Sequence, residues 1–588
     1  MTNTEIEFKE FIESIKTTGP KRKAAYKSLG ELTPKLSFEE ILELIPLFHD
    51  SLGDSENSQI VYLIQNLLPV IRKLYVSDTE EYRIQAMLLV APLTELVVNS
   101  PKAIKKATVK CLKRVIPMLN ETDFRGYVYS VSKALLMDDS DCQNQVFGLV
   151  LVDAMLPRLS EEEKIQLLLP KLPDLLMSKD LSLRKNTIKT YSLLSTQLPI
   201  EYIDGMIVPA IVCGANDKDF IVRKKASECI TSIAEIAVDS KSNLIRPFFS
   251  LVQDANKPNA IVSLKQMPHF LHIIGKKLAN QYSKEILPIL VNLSSDTVRL
   301  FPDAPTSVGK SLVSIINFYM ETKSETVFTI VKNLANSGAI GARYSVGVCF
   351  QLFMPYVKAE DTRAFFLELY DSLLKDEKVV QLAAISSLAD VIGIVNPEYK
   401  ERYMKSFMSF MENPFWRVRL QIASSFSRVV QSVGESVDVQ TYLFKLLNDP
   451  MAATRSKAAE VTAQVYMISS NEFKQKVRNN FIVLSKRNYH RRKIIIEFIS
   501  WIFGEVKSMD EGLAILDNFF MPFFLLCVDD PVPNVRIHLC HAISLISSKY
   551  PNFIQISNVC DCCYQLMADD EQDVSSIAKE LFETQLKN

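Results

Sequence analysis

Glycine is scarce in this sequence, 16 residues in 588, and strict polar–apolar alternation is hard to find, which together speak against a β-sheet protein and its turns. Charge of one sign is also missing. Lys plus Arg number 67 against 68 Asp plus Glu, so no global excess points to nucleic acid or to an anionic membrane surface. No uninterrupted apolar run approaches the roughly 18 residues that a spanning helix needs, and the greasy segments near Ile494 and Phe519 are soon broken by charge or proline. The ten cysteines are scattered singly apart from Cys560, Cys562 and Cys563, the pattern of reduced thiols in the cytosol or nucleus rather than of a disulfide framework. The opening MTNTEIEF carries acids where a secretory signal needs basic and apolar residues. A soluble cytoplasmic or nuclear protein is expected.

What is present is helical periodicity: 48% of the residues are apolar and they recur at three and four positions almost throughout, so the class is all-α. A short unit repeats, consisting of Asp, a few polar residues, then an apolar residue followed by Arg. It occurs as DLSLRK at Arg184, DKDFIVRK at Arg223, ENPFWRVRL at Arg419 and DDPVPNVRI at Arg536. The helix that follows carries one apolar stripe each time: Val222, Ala226, Ile230, Ile233; Val418, Ile422, Phe426, Val429; Val535, Leu539, Ile543, Ile546. Pro170, Pro209 and Pro522 each precede the Arg by 14 residues and are expected to bend or interrupt a first helix. Extended along the chain, the register falls at Arg22, Val61, Lys105, Gln145, Arg184, Arg223, Ser263, Gly309, Arg343, Gln381, Arg419, Arg455, Arg492, Arg536 and Ser575, at intervals of 34 to 46 residues. A helix pair of that length cannot bury its apolar face alone, so about fifteen units must stack into one α-solenoid. The recurrent Arg and Asp are expected to form exposed pairs between neighbouring loops, each worth under about 1 kcal/mol, that set register.

VVQLAAISSLADVIGI (Val379 to Ile394), FWRVRL (Phe415 to Leu420) in the eleventh repeat and DPVPNVR (Asp530 to Arg536) in the fourteenth resemble the scaffold (A) subunit of protein phosphatase 2A. The likeness in length and repeat number covers the whole chain. It implies a right-handed horseshoe of fifteen HEAT repeats, each a pair of antiparallel helices, with no catalysis and no cofactor. It also implies a ridge of intra-repeat loops that holds a catalytic subunit on residues 398–588, repeats eleven to fifteen, and a regulatory B-type subunit on residues 1–397, in a heterodimer or heterotrimer without nucleic acid or membrane. Trp416 and Arg417 match the family's Trp-Arg contact in the eleventh loop, Tyr489 and Arg492 match the thirteenth, and Val532 and Asn534 lie on the fourteenth. Arg184 matches the Arg of the fifth repeat on the regulatory side, without the family's preceding Pro. Two further departures are Ala452, where the family carries an aromatic, and ANKPNAIVS around Pro258, which lacks the family's second Trp-Arg loop. The same repeats would also suit another HEAT-type adaptor, such as a nuclear transport receptor or a regulatory subunit of a related phosphatase.

Other chemistry is weighed against plain structural roles. APTSVGKS (Ala304 to Ser311) fits a relaxed phosphate-loop pattern, but it stands between helices rather than after a strand, and FFLLCVDD ending at Asp530 reads as a helix instead of a metal-holding strand. Cys560, Cys562 and Cys563 lack a second ligand pair for zinc, even with His538 and His541 one repeat earlier. His269 and His272 have no acid at the spacing of a zinc-protease helix, and no nucleophile elbow exists. The basic run KRNYHRRK (Lys486 to Lys493) suits a solvated loop, a nuclear-import or phosphate contact, or a docking patch for an acidic protein surface.

Overall fold

The computed structural model describes residues 3–53, 59–77, 79–296, 303–434 and 437–583, and among these there are helices and no strands. By packing, the chain divides into two compact bodies, Met1–Ile286 and Leu287–Asn588. Each is a stretch of α-solenoid built from helix pairs, and fifteen pairs can be traced from Asn3–Lys16 with Pro20–Leu32 to Ser557–Met567 with Gln572–Phe582. No single described helix is long and apolar enough to cross a membrane.

The two helices of a pair differ in burial because they occupy different layers. Second helices pack on second helices: in the C-terminal body Ile340–Phe353, Lys378–Ile394, Trp416–Val433, Ala452–Ile468, Tyr489–Glu505 and Pro533–Lys549 each contact the next. Covered on several sides, Tyr489–Glu505 buries Ile494, Ile495, Ile496, Phe498, Ile499, Ile502 and Phe503, which is why its apolar residues run consecutively instead of in one stripe. First helices bury less; Pro397–Phe410 buries only Tyr403 and Phe407. Small residues set the spacing where two second helices come closest. A Cβ on Gly347 would lie 2.9 Å from the backbone nitrogen of Ala384, and Ser387 Oγ donates to the Gly347 carbonyl at 2.8 Å. The LAAISS string thus encodes a close helix contact.

The proline markers stand at interruptions or bends of their first helices. Lys164–Leu168 and Ile203–Ile207 are π-helical turns; Pro170 stands in the turn that ends the first, and Pro209 opens Val208–Ala215 after the second. Because proline brings no N–H, the turn before it is free to widen. Pro522 lies inside Met509–Leu526, whose axis turns by 90° between Leu516 and Phe519, just ahead of the proline. Around Gly309 the register is harder to read, since the helix boundaries there are a left-handed Gly275 (φ 67°) and a bend at Lys323 (φ −140°) rather than polar loops.

One contact recurs between the loops of adjacent repeats. Arg184 donates Nε and Nη2 to the two carboxylate oxygens of Asp217 at 2.8 and 3.2 Å, and its Nη1 donates to the carbonyls of Ser178 and Lys179 in its own loop. The same fork joins Arg223 to Asp254, Arg343 to Asp376, Arg419 to Asp449, Arg492 to Asp530 and Arg536 to Asp569. Five of the six carboxylates also fold their own loop: Asp217, Asp254, Asp449, Asp530 and Asp569 accept the backbone N–H two residues on, an Asx turn. Where the register lacks Arg the contact is neutral or shorter. Gln381 Nε2 reaches the Leu374 carbonyl at 2.7 Å, and Lys105 Nζ reaches Asn144 Oδ1 at 2.9 Å.

These pairs are bidentate and largely withdrawn from solvent, which corrects the expectation of exposed, weak ones. The side chains of Arg419 and Asp449 are 11% and 4% exposed. Their hydrogen bonds raise the affinity of Arg184, Arg223, Arg343, Arg419, Arg492 and Arg536 for their protons. The Arg343 bond holds Asp376 below the ordinary aspartate value. At Asp217, Asp254 and Asp569 burial pushes upward, but the bonds from Arg and from the backbone outweigh it and leave the carboxyl below its ordinary value.

Two outcomes follow from this geometry. Arg419→Ala leaves Asp449 buried without a cation, a change that costs on the order of 3–5 kcal/mol, and thermal unfolding is expected to begin at lower temperature; an unchanged melting curve sinks the buried-pair reading. Because the folded carboxyls of Asp217, Asp254, Asp376 and Asp569 titrate below their unfolded value of about 3.9, their contribution is full above that value and is lost as pH falls through the folded values. Melting temperature should therefore drop as the medium is acidified below about pH 4, and Asp376→Asn should flatten that dependence relative to the wild type.

Candidate protein-binding ridge

The fork fixes where the loop tip points. In seven repeats the second helix begins three residues before its Arg, at Leu181, Phe220, Ile340, Trp416, Ala452, Tyr489 and Pro533. Anchored by the Arg behind it, this first residue emerges from the loop: Phe220 and Ile340 are 46% and 42% exposed, and Leu181, Trp416, Tyr489 and Pro533 are half-buried. An apolar or aromatic side chain thus recurs at one place on the loop face of each body.

Trp416 is the most elaborated of these positions. The Arg417 guanidinium lies 4.8 Å from the centre of its ring and 5.6 Å from that of Phe415, and Lys378 Nζ from the preceding repeat lies 4.9 Å from the other aromatic, Phe415. Arg417 is exposed, so a partner meets a flat aromatic with a cation over its face, an arrangement with few rotamers to lose. In the thirteenth loop Tyr489 leans on His490, with centroids 3.9 Å apart. In the fourteenth, Val532 is half-buried with its N–H bonded to Asp530 at 2.9 Å, and Asn534 is exposed.

Arg184 and Arg492 are placed differently. Four of the five N–H groups of Arg184 are engaged by Asp217, Ser178 and Lys179, and the residue is 6% exposed. Arg492 forks onto Asp530, with Nη1 on the Arg487 carbonyl at 3.0 Å. Both orient loops rather than present a free guanidinium, the pairing role that their register place predicts and not the surface contact that the resemblance implies. Conversely, the sequence reading passes over Phe220, Ile340 and Met451. Met451, 38% exposed, supplies the apolar surface of the twelfth loop beside Ala452. The signal for Phe220 and Ile340 was available, as both stand three residues before a register Arg, like Trp416.

The remaining candidates resolve into repeat structure. Ala304–Lys310 is a helix with Ser307, Val308 and Gly309 buried, and a Cβ on Gly309 would lie 2.8 Å from Ser345 Oγ, so its backbone is packed against protein where a phosphate would have to sit. Phe523 to Asp529 is helical, and Asp530 is bound by Arg492. Cys562 and Cys563 are buried in the last repeat and burial raises both thiols, Cys562 to about 11; among the described residues no group of three His, Cys, Asp or Glu could hold a metal. His269 lies 3.6 Å from Glu235 and His538 lies 3.4 Å from Glu497, each in a simple pair; His272 and His541 are exposed.

No protein-family model matches the sequence, and no curated protein does. Solved structures do match in shape. The yeast importin-β Kap95p, studied with RanGDP, aligns with a TM-score of 0.59 at 12% identity over 100% of this chain and 84% of that one. Importin beta in an ammonium sulfate condition aligns with a TM-score of 0.50 at 10% identity over 99% and 85%. A Kap121p mutant gives 0.51 at 10% identity over 97% of this chain and 59% of that one. At this identity the likeness is one of fold: the chain is an all-α solenoid of HEAT type, shared with nuclear import receptors and not peculiar to a phosphatase scaffold.

Proposed function

We propose that this chain is a non-catalytic, protein-binding scaffold whose loop ridge is its working surface. The observation that carries this is the recurrence of an exposed or half-buried apolar or aromatic residue at the first turn of second helices, held in place by a fork in six of the seven repeats that share this start. Preorganised side chains of this kind bind with little loss of entropy.

In its finer form the proposal is a phosphatase 2A-like scaffold, with the catalytic subunit on repeats eleven to fifteen and a regulatory B-type subunit on the repeats before residue 398. Support comes from FWRVRL and DPVPNVR, which stand in the repeats where the resemblance requires them. Trp416, Arg417, Tyr489, Val532 and Asn534 would touch the catalytic subunit. Arg492 would hold the thirteenth loop in position, and Arg184 would do the same for the fifth loop on the regulatory side. Joining two partners raises their effective concentration and fixes their orientation. The setting is the cytoplasm, with the nucleus as a second compartment.

The second reading is a nuclear transport receptor, favoured by the whole-length match in shape to Kap95p. A partner capture experiment separates the two. Wild-type chain used as bait in cell extract is expected to retain a serine/threonine phosphatase catalytic subunit, and the Trp416→Ala, Arg417→Ala double variant to lose it, identified by mass spectrometry. Retention by both baits removes the proposed anchor, and recovery of a small GTPase in place of the phosphatase favours the transport reading.

A further inference from the structure

The sequence of forks is interrupted once in a way that leaves a charge behind. Arg455 is anchored as Arg419 is, with Nη1 donating to the carbonyls of Asp449 and Pro450, both at 2.8 Å, the residues six and five positions back. That anchoring turns the Nε and Nη2 edge of the other Arg residues toward an Asp in the next loop. Arg455 is only 8% exposed, yet among the described residues no carboxylate lies within ion-pair distance of it. Asp449, the acid of its own loop, is already forked by Arg419 at 2.6 and 3.0 Å.

The reason is a substitution in the thirteenth loop. Asp217, Asp449 and Asp530 each stand three residues before the first residue of the following helix and six before that helix's Arg. Counted from Tyr489 and Arg492, that place is held by Lys486. At two register places without Arg the acid is absent too: Gln145 is followed by Ser178 and Gln381 by Asn413 at the corresponding places. At Arg343 the counted place is Lys375, but the adjacent Asp376 makes the fork; beside Lys486 stand Ser485 and Arg487, so the buried Arg455 meets a loop with no acid at or next to that place. The thirteenth loop carries the exposed Lys486 and Arg487, and Arg491, at the start of its helix, reaches back with Nη1 and Nη2 to the carbonyls of Leu447 and Asn448 at 3.2 and 2.9 Å. Burial and then the charge of Arg455 hold both Arg491 and His490 below their ordinary values, the electrostatic mark of positive charge left uncompensated.

We propose that the notch between the twelfth and thirteenth loops binds an acidic segment of a protein partner, one of whose Asp or Glu carboxylates takes the place that a fork Asp takes elsewhere. Arg455 receives it on Nε and Nη2, and Lys486, Arg487 and Arg491 supply the surrounding field. A carboxylate is favoured over a nucleic-acid backbone because the vacant position belongs to a row of sites that each hold one carboxylate, in the planar fork that suits it. Met451 and Tyr489 border the notch with apolar surface. This inference rests on the ridge being a protein-binding surface but not on which protein binds there, so it and the capture experiment can fail separately.

The test uses the full chain and a short fluorescent peptide rich in Asp and Glu, followed by anisotropy, with an Asn/Gln version of the peptide and a single-stranded RNA as alternatives. The acidic peptide is expected to bind and the Asn/Gln version not to bind. Lys486→Asp supplies the missing carboxylate within the chain, so it should weaken peptide binding by about tenfold or more and at the same time raise the melting temperature. Arg455→Gln should weaken binding comparably without the rise in stability. Peptide binding that survives Lys486→Asp, a melting temperature that does not rise in that variant, or RNA binding as tight as that of the acidic peptide each overturns the proposal.

Discussion

Everything the loop face can do depends on the forked contact between an Arg at the start of one second helix and an Asp in the next loop. A solenoid has contacts only between neighbours, so the position of each loop is set by one interface on either side. Helix packing alone fixes the distance between repeats but leaves the polar connections loose. The fork closes that freedom with two parallel hydrogen bonds to the next repeat and with bonds from Nη1 to its own loop, as at Arg419. Because the same carboxylate shapes the turn that carries it, loop conformation and repeat register are decided by one group.

This arrangement also explains the apolar residues on the surface. Phe220, Ile340 and Trp416 are each attached to the helix turn that the fork immobilises, three residues before the Arg. They have no room in the core, because the second helix faces its neighbours with residues such as Val222 and Val418, both buried. A loop tip supported in this way can keep a large apolar side chain in water without collapsing over it, which is the condition for a preorganised contact.

The fold was legible in the sequence to an unusual degree, since the period is short and its marker is a charged residue. Scarce glycine, apolar residues at three and four positions and a recurring Asp–Arg unit suffice for an all-α repeat protein, and fifteen register positions fall within fifteen helix pairs. The candidate surface was legible in part. Trp416 and Tyr489 stand out by residue type, whereas Phe220 and Ile340 look like ordinary members of an apolar stripe until the first turn of the helix is located. Arg184 and Arg492 stand three residues after the first residue of their helices, as Arg419 does, whereas Arg417 stands one residue after it. Their register place marks them for pairing, and the acids that bind them, Asp217 for the one and Asp530 for the other, lie more than thirty residues away.

The sequence by itself determined the class, the repeat and the positions of its Arg and Asp, because amphipathic period and local turn chemistry act over a few residues and leave their pattern in the chain. Only the tertiary structure decided which Arg meets which Asp, that these pairs are bidentate and largely withdrawn from solvent, and that Arg455 meets no carboxylate among the described residues. Those outcomes depend on stacking, which brings residues of adjacent repeats within hydrogen-bonding distance and removes water from between them. An ion pair that is nearly neutral in water becomes a strong geometric constraint once it is enclosed, and its absence at one position becomes a binding feature.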